Sequence, residues 1–293
     1  MAPAGFSQLV ADPDFHPSVA HPAHTKNHPK VLLDEAHHNH HTASGRYKPF
    51  VDLITSDGFQ VTPGTTRFTQ ETLKGFDVLV ISNARGAPSM DAPEASNSAF
   101  TEDECDVVRD WVRGGGNLLL IADHAPMGAA NAKLGERFGV NMSQGWTSDP
   151  SNYDVEAKVQ TYIKYDSANK LVGDHPITRG RDDSEKISTI ISYTGQSLKG
   201  PEGSVAFMKL ADTAIDSIPT GNGDERRQVS AAGRAQGIAF EFGNGRVVVL
   251  GEAAMMSAQV AGPNKVKFGM NRPGTDDRQL ALNILRWLSG VLK

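Results

Sequence analysis

Val31-Leu32-Leu33-Asp34-Glu35-Ala36-His37-His38-Asn39-His40-His41-Thr42 passes from a continuous apolar run straight into acids and imidazoles. No polar residue alternates with the Val and Leu, so the apolar half reads as a strand buried on both faces. The polar half then lies at the strand's carboxyl end, where α/β proteins place their chemistry. Residues 34–42 hold four of the chain's ten histidines. An expression tag would be a pure His run at a terminus, whereas this cluster is internal and mixed with acids.

The same strand signal recurs downstream. Residues 77–82 (Asp-Val-Leu-Val-Ile-Ser) and 117–122 (Asn-Leu-Leu-Leu-Ile-Ala) are continuous apolar runs. Between them the period changes. Residues 46–56 carry Phe50, Val51 and Ile54 at helical spacing and stop at Asp57-Gly58. Thr101-Glu102-Asp103-Glu104 is a capping box, and the helix it opens runs through Val107, Val108, Trp111 and Val112 to Gly114-Gly115-Gly116. Residues 60–62 suit a short strand and 130–138 a short helix. Strands alternating with helices predict an α/β protein with a doubly wound parallel sheet.

The second half is less regular. Residues 187–193 and 205–210 suit strands, with loops such as 219–224 between them. Residues 238–242, Asn244-Gly245 and 247–250 form a β-hairpin pattern. Residues 276–292 close the chain as an amphipathic helix. The expected organisation is an extended arm over 1–29 and one α/β domain over 30–293, with an irregular β-rich insertion at 143–236. His16, His21, His24 and His28 sit among prolines in the arm and read as solvated. Residues 85–99, rich in Ala, Pro, Ser and Asn, predict a long loop able to cover the crevice.

Composition narrows the class. The chain has 293 residues and a net charge of -5, which gives no basic face for nucleic acid or anionic membrane. No segment is long and apolar enough to span a bilayer. The N-terminal Met-Ala-Pro-Ala-Gly lacks the pattern of an intact signal peptide. A cytoplasmic protein and an exported one whose signal has been removed both fit. The single cysteine, Cys105, permits no intrachain disulfide and no Cys-based zinc cluster. It precedes its strand rather than ending it, which suits a small buried residue. No Gly-x-Ser-x-Gly elbow, dinucleotide fingerprint or phosphate loop is present.

The strand ends yield a short set of candidates. The first delivers Asp34, Glu35 and the His cluster, the second Ser82 and Asn83, the third Asp123 and His124. Residues 247–250 deliver Gly251 and Glu252. His37 and His41 are four apart, so a helical turn after Glu35 would place both on one metal. Asp123 or His124 would complete the set, as would Glu252. A metal-bound water would attack, and Glu35 or Glu252 would serve as general base. Asn39 or Asn83 would orient the substrate. Taken singly, each of these residues is more often a cap or a loop hydrogen-bond partner. His175, in Gly173-Asp174-His175-Pro176, reads as a turn signal.

Taken together, these segments resemble the class I glutamine amidotransferase-like superfamily, and more narrowly its uncharacterised bacterial branch of DUF4350-type or ThuA-like domains. The resemblance covers residues 30–142 and 237–292. It rests on residues 31–37 with Asn39, His41-Thr42 and Gly45-Arg46-Tyr47, then on 76–83, 100–104, 115–124, 249–252 and 283–288. It implies a flavodoxin-like three-layer sandwich. It also selects Glu35, His37, Asn39 and His41 from the cluster and leaves His38 and His40 as extras. The superfamily's Cys nucleophile is missing, because the corresponding turn reads Ala122-Asp123-His124.

The leading expectation is a metal-dependent hydrolase of an ester, lactone or amide. Its ligands would be His37, His41 and Asp123 or His124. Imidazoles favour zinc, and a carboxylate-dominated site would favour calcium or manganese. Two alternatives remain open: a non-catalytic binding module for carbohydrate or another small ligand, and a metal-dependent glycosidase or deacetylase.

Overall fold

A computed structural model describes residues 9–221, 223 and 225–293. Its main elements are β1 (Lys30–Asp34), α1 (Lys48–Ser56), β2 (Gln60–Gly64), β3 (Val78–Ser82), α2 (Glu102–Arg113), β4 (Asn117–Ile121), α3 (Met127–Glu136), β5 (Ala235–Phe242), β6 (Gly245–Leu250) and α4 (Asp277–Leu288). The central sheet has the order β2-β1-β3-β4-β6-β5. The first five of these strands are parallel neighbours, and β5 runs antiparallel to β6. Three short strands extend the sheet beyond β5: Leu198–Lys199, Asn141–Met142 and Val205–Lys209. The chain is thus a mixed α/β protein.

Both faces of the sheet are covered, which is why its strands read as unbroken apolar runs. Val31, Leu33, Val80, Leu119, Ile121 and Val248 point into one core with Phe50 and Leu53 of α1 and Leu280 and Ile284 of α4. Leu32, Leu79, Ile81, Leu118, Leu120 and Val249 point into the other with Cys105, Val108 and Val112 of α2 and Leu134 of α3. Successive residues of one strand alternate between the two cores, as the pleat dictates.

The Thr101 box forms as the sequence predicts, its hydroxyl accepting from the Glu104 backbone N–H and the Glu104 carboxylate accepting from Thr101. On α4, Arg286 is almost completely buried and pairs with Asp57 at 2.7 Å and Glu185 at 2.8 Å. That network ties the last helix to the end of α1 and to the insertion.

The region 143–236 builds two three-stranded sheets. Trp146–Ser148 joins Ile215–Pro219 and Arg226–Ser230, and Tyr153–Asp154 joins Val159–Asp166 and Thr189–Ile191. It shares a core with the central sheet, since Tyr165, Ile190 and Phe207 pack in the cluster that holds Val31 and Leu119.

Some expectations change. The loop over 85–99 contains a 3-10 turn, Pro93–Ser96. The helix expected at 130–138 starts earlier, at Met127. The arm is not wholly extended over solvent: Val10–Ala11 pairs with Ala258–Ala261. His24 is half-buried, edge-on to Phe59 at 4.7 Å and 3.1 Å from the Ser289 hydroxyl. Residues 1–8 of the arm, and 222 and 224 of the loop 219–224, lie outside the described residues. Among the described residues no helix is long and apolar enough to cross a membrane.

Candidate functional site

A cavity of about 380 Å³ opens at the carboxyl ends of β1, β3 and β4. It collects His40, His41 and Arg46 from the loop after β1, Asn83 after β3, and Asp123 and His124 after β4. The insertion adds Tyr162, Tyr193 and Thr194, and the long loop adds Met90. Leu9, beside the N-terminal strand, lines it as well. Four sequence-predicted residues therefore meet here: His41, Asn83, Asp123 and His124.

The other predicted residues do not line this cavity. His37 has no ring nitrogen to give a metal: Nδ1 lies 2.8 Å from Asp34 and Nε2 lies 3.0 Å from Glu104, both buried. Burial alone would lower its pKa, but the two carboxylates outweigh burial and raise it, and the ring is clamped between Phe68 and Phe100. The helical turn that would join His37 to His41 does not form, and His38 takes a left-handed φ of 49°. Glu35 is spent on the local loop, accepting from the Ala43 backbone N–H at 2.7 Å. Asn39 is a brace, donating to Asp34 and accepting from the His37 backbone. Glu252 is fully buried behind the cavity and accepts from the Ala254 and Met255 backbone N–H groups.

The donor geometry has a plain consequence for the metal expectation. Among the described residues, no three His, Cys, Asp or Glu side chains converge so as to hold a metal ion. The zinc, calcium or manganese centre expected from residue types is not assembled by His37, His41 and Asp123 or His124. Spacing along the chain suggested a shared face that a non-helical loop does not provide.

What the cavity does contain is a set of tuned acid–base groups. Burial pushes the Asp123 carboxyl up to about 7, against the lowering effect of hydrogen bonds from the His124 backbone N–H and Asn83. Asn83 holds that loop, its side-chain oxygen accepting from the Asp123 backbone N–H at 2.9 Å. It does so from a left-handed backbone, φ 50°, which Asn tolerates better than most residues. Burial, reinforced by the Asp123 charge, raises the Glu252 carboxyl well above its usual range.

The histidines move the other way. Burial lowers His124, opposed by its bond to the Ala125 carbonyl and reinforced by Arg226. Its Nδ1 lies 2.7 Å from that carbonyl oxygen, so Nδ1 carries the hydrogen and Nε2 keeps its lone pair. The ring stacks on Trp146 at 5.2 Å, and Arg226 covers the same indole at 3.8 Å. Burial, helped by the Arg46 and Arg85 guanidiniums, lowers His41 far below its ordinary value and brings His40 to about 4. His41 stacks on Tyr47 at 4.3 Å, with Nδ1 3.0 Å from the Ser82 hydroxyl.

Sequence reasoning missed Arg46 and set His40 aside. Arg46 stood in view, five residues beyond His41 and within the Gly45-Arg46-Tyr47 match, but that match assigns it no role. The aromatic wall was not readable either, because Tyr162 comes from a strand of the insertion and Tyr193 from the loop just after another.

No family model matches the chain, and no curated protein does. Among solved structures, the N-terminal domain of mmIFT52 is similar with a TM-score of 0.62 at 15% identity, over 89% of this chain and 97% of that one. ThuA-like proteins also align. One from Bacteroides uniformis has a TM-score of 0.44 at 14% identity, over 96% of this chain and 97% of that chain. One from Parabacteroides merdae has 0.47 at 14%, over 91% of each. At such identities the mmIFT52 likeness shows a shared fold and nothing of activity.

Proposed function

We propose that the cavity is the active site of a small-molecule hydrolase working by acid–base catalysis on an ester, lactone or amide carbonyl. His124 Nε2 takes a proton from water as the oxygen attacks. Asp123, protonated, gives its proton to the leaving oxygen or nitrogen. The site returns to its starting state when the proton passes from His124 back to Asp123. The observation that carries this reading is the opposed tuning of two adjacent groups, a carboxyl raised to about 7 beside an imidazole held neutral. The donor set does not fit a metal centre, so no step passes through one. We further read the parallel order β2-β1-β3-β4-β6 as a doubly wound, flavodoxin-like scaffold of the amidotransferase-like kind, with Asp123 at the turn that carries the nucleophile in that superfamily. Cys105 cannot replace that nucleophile. It is buried in α2, and burial pushes its thiol up to about 11.

The test is a panel of esters, lactones and amides assayed with the wild type, Asp123→Asn and His124→Gln. Each variant is expected to lose about 10²–10⁴-fold in turnover with its fold intact. Turnover unchanged in both variants, or no turnover of any panel member by the wild type, overturns the reading.

A further inference from the structure

The cavity has a cationic end that the proposed chemistry does not use. Arg46 is half-buried in its wall, and burial alone lowers its pKa, with no acidic neighbour contributing. Its one side-chain partner among the described residues is His40, whose Nε2 lies 2.6 Å from an Arg46 terminal nitrogen. Arginine has no lone pair to offer, so His40 accepts there and must be neutral, with its hydrogen on Nδ1. That agrees with its fall to about 4, caused by burial and then by Arg46, Arg85 and His124. Arg85 lies outside the cavity lining, fixed by its bond to the His38 carbonyl at 2.8 Å. Asp123, on the same lining, is pushed toward its neutral form, as is the buried Glu252 outside it. A half-buried guanidinium without a counter-ion has lost part of its hydration with no opposite charge to offset it.

We propose that Arg46 is an anion subsite and that the substrate of this cavity is a carboxylate with an apolar or aromatic body. The proposal rests on the cavity being a substrate site, and it names what that substrate carries. One guanidinium offers a planar fork that matches one carboxylate in two parallel hydrogen bonds. It is the only Lys or Arg side chain in the cavity lining among the described residues, so it balances a single charge rather than the double charge of a phosphate monoester. The rest of the wall fits the body: Tyr162, Tyr193, Phe268 and Met90 are aromatic or apolar.

The experiment is calorimetric titration of the full chain with benzoate, benzamide and inorganic phosphate at pH 6.5. It is run on the wild type, Arg46→Gln, Arg46→Lys and Asp123→Asn, with circular dichroism and thermal melting confirming that each variant folds. Benzoate is expected to saturate the wild type while benzamide and phosphate do not. Arg46→Gln should weaken benzoate at least about tenfold, the loss expected when a buried charged hydrogen-bond partner is removed. Arg46→Lys should recover part of the affinity, because charge remains but the fork is gone. Asp123→Asn should bind benzoate as the wild type does. Equal benzoate affinity in the wild type and Arg46→Gln overturns the subsite, and so does a preference for phosphate or benzamide. The two readings fail separately. Benzoate binding that depends on Arg46, without turnover of any ester, lactone or amide, keeps the subsite and removes the hydrolase. Turnover that needs Asp123 while Arg46→Gln leaves KM and benzoate inhibition unchanged does the reverse.

Discussion

Asp123 is a carboxyl held where its charge is unwelcome. Its folded pKa, near 7, lies above the ordinary 3.8 of an unfolded chain. The stability linked to it is therefore greatest below about pH 4 and is lost as pH rises through 7. Asp123→Asn removes that cost, so the variant should melt several degrees above the wild type at pH 8, an order of magnitude set by entropy of unfolding, while turnover collapses. Equal or lower melting temperature at pH 8 would count against a buried, strained charge. Activity should follow a bell in pH. The alkaline limb falls near 7 as Asp123 loses its proton, and the acid limb lies below 6.5, where His124, lowered by burial, gains one. A rate that keeps rising past pH 8 contradicts the assignment of Asp123 as the acid. His37 works in the opposite sense. Its folded pKa is raised above 6.5, so its contribution is present at low pH and is lost as pH rises through the raised value. Glu104 is held below its ordinary 4.5 despite burial, by bonds from Thr101 and His37, so its contribution is lost as pH falls. His37→Ala strands Asp34 and Glu104 without a cation and should cost about 3–5 kcal/mol in urea unfolding at pH 6.

The elements were legible wherever a single local rule decided them. Continuous apolar runs gave β1, β3 and β4 because both sheet faces are covered, and the Thr101 box gave the start of α2. That cap offers a local check: Thr101→Ala should cost about 1 kcal/mol, with Thr101→Asn close to neutral. An unchanged midpoint in the alanine variant would mean that packing alone holds the first turn of α2. The site was half legible. Asp123, His124 and Asn83 follow from the rule that strand ends carry the chemistry, and they stand at the cavity. His37, Glu35 and Asn39 do not line it, because neighbours in sequence need not be neighbours in space. The loop after β1 turns at His38 and sends His37 inward to Glu104 while His40 and His41 face the cavity. No residue pattern in the segment announces that division. It depends on Glu104, 67 positions away, reaching back to His37. Tyr162 and Tyr193 were unreadable for a related reason, since the pairing of Val159–Asp166 with Thr189–Ile191 brings together the strand that holds Tyr162 and the one that Tyr193 follows.

At the scale of the whole molecule, the donor geometry predicts indifference to metal. Dialysis against a chelator, or addition of zinc, calcium or manganese, should leave the melting temperature and any turnover unchanged, because bound ligand would shift stability by mass action. Stabilisation that saturates with one of these ions would reopen the metal reading. The strand order bears on how the chain is made. β6 lies between β4 and β5 in the sheet, yet it spans residues Gly245–Leu250, more than a hundred positions after β4. During synthesis β4 waits as an open edge, Asn117–Ile121, while the insertion emerges and folds. An unpaired apolar edge of this kind recruits strands from other molecules. Synthesis is therefore most exposed to aggregation between residues 121 and 245, and a chaperone that shields that edge should matter more to yield than to the stability of the finished protein.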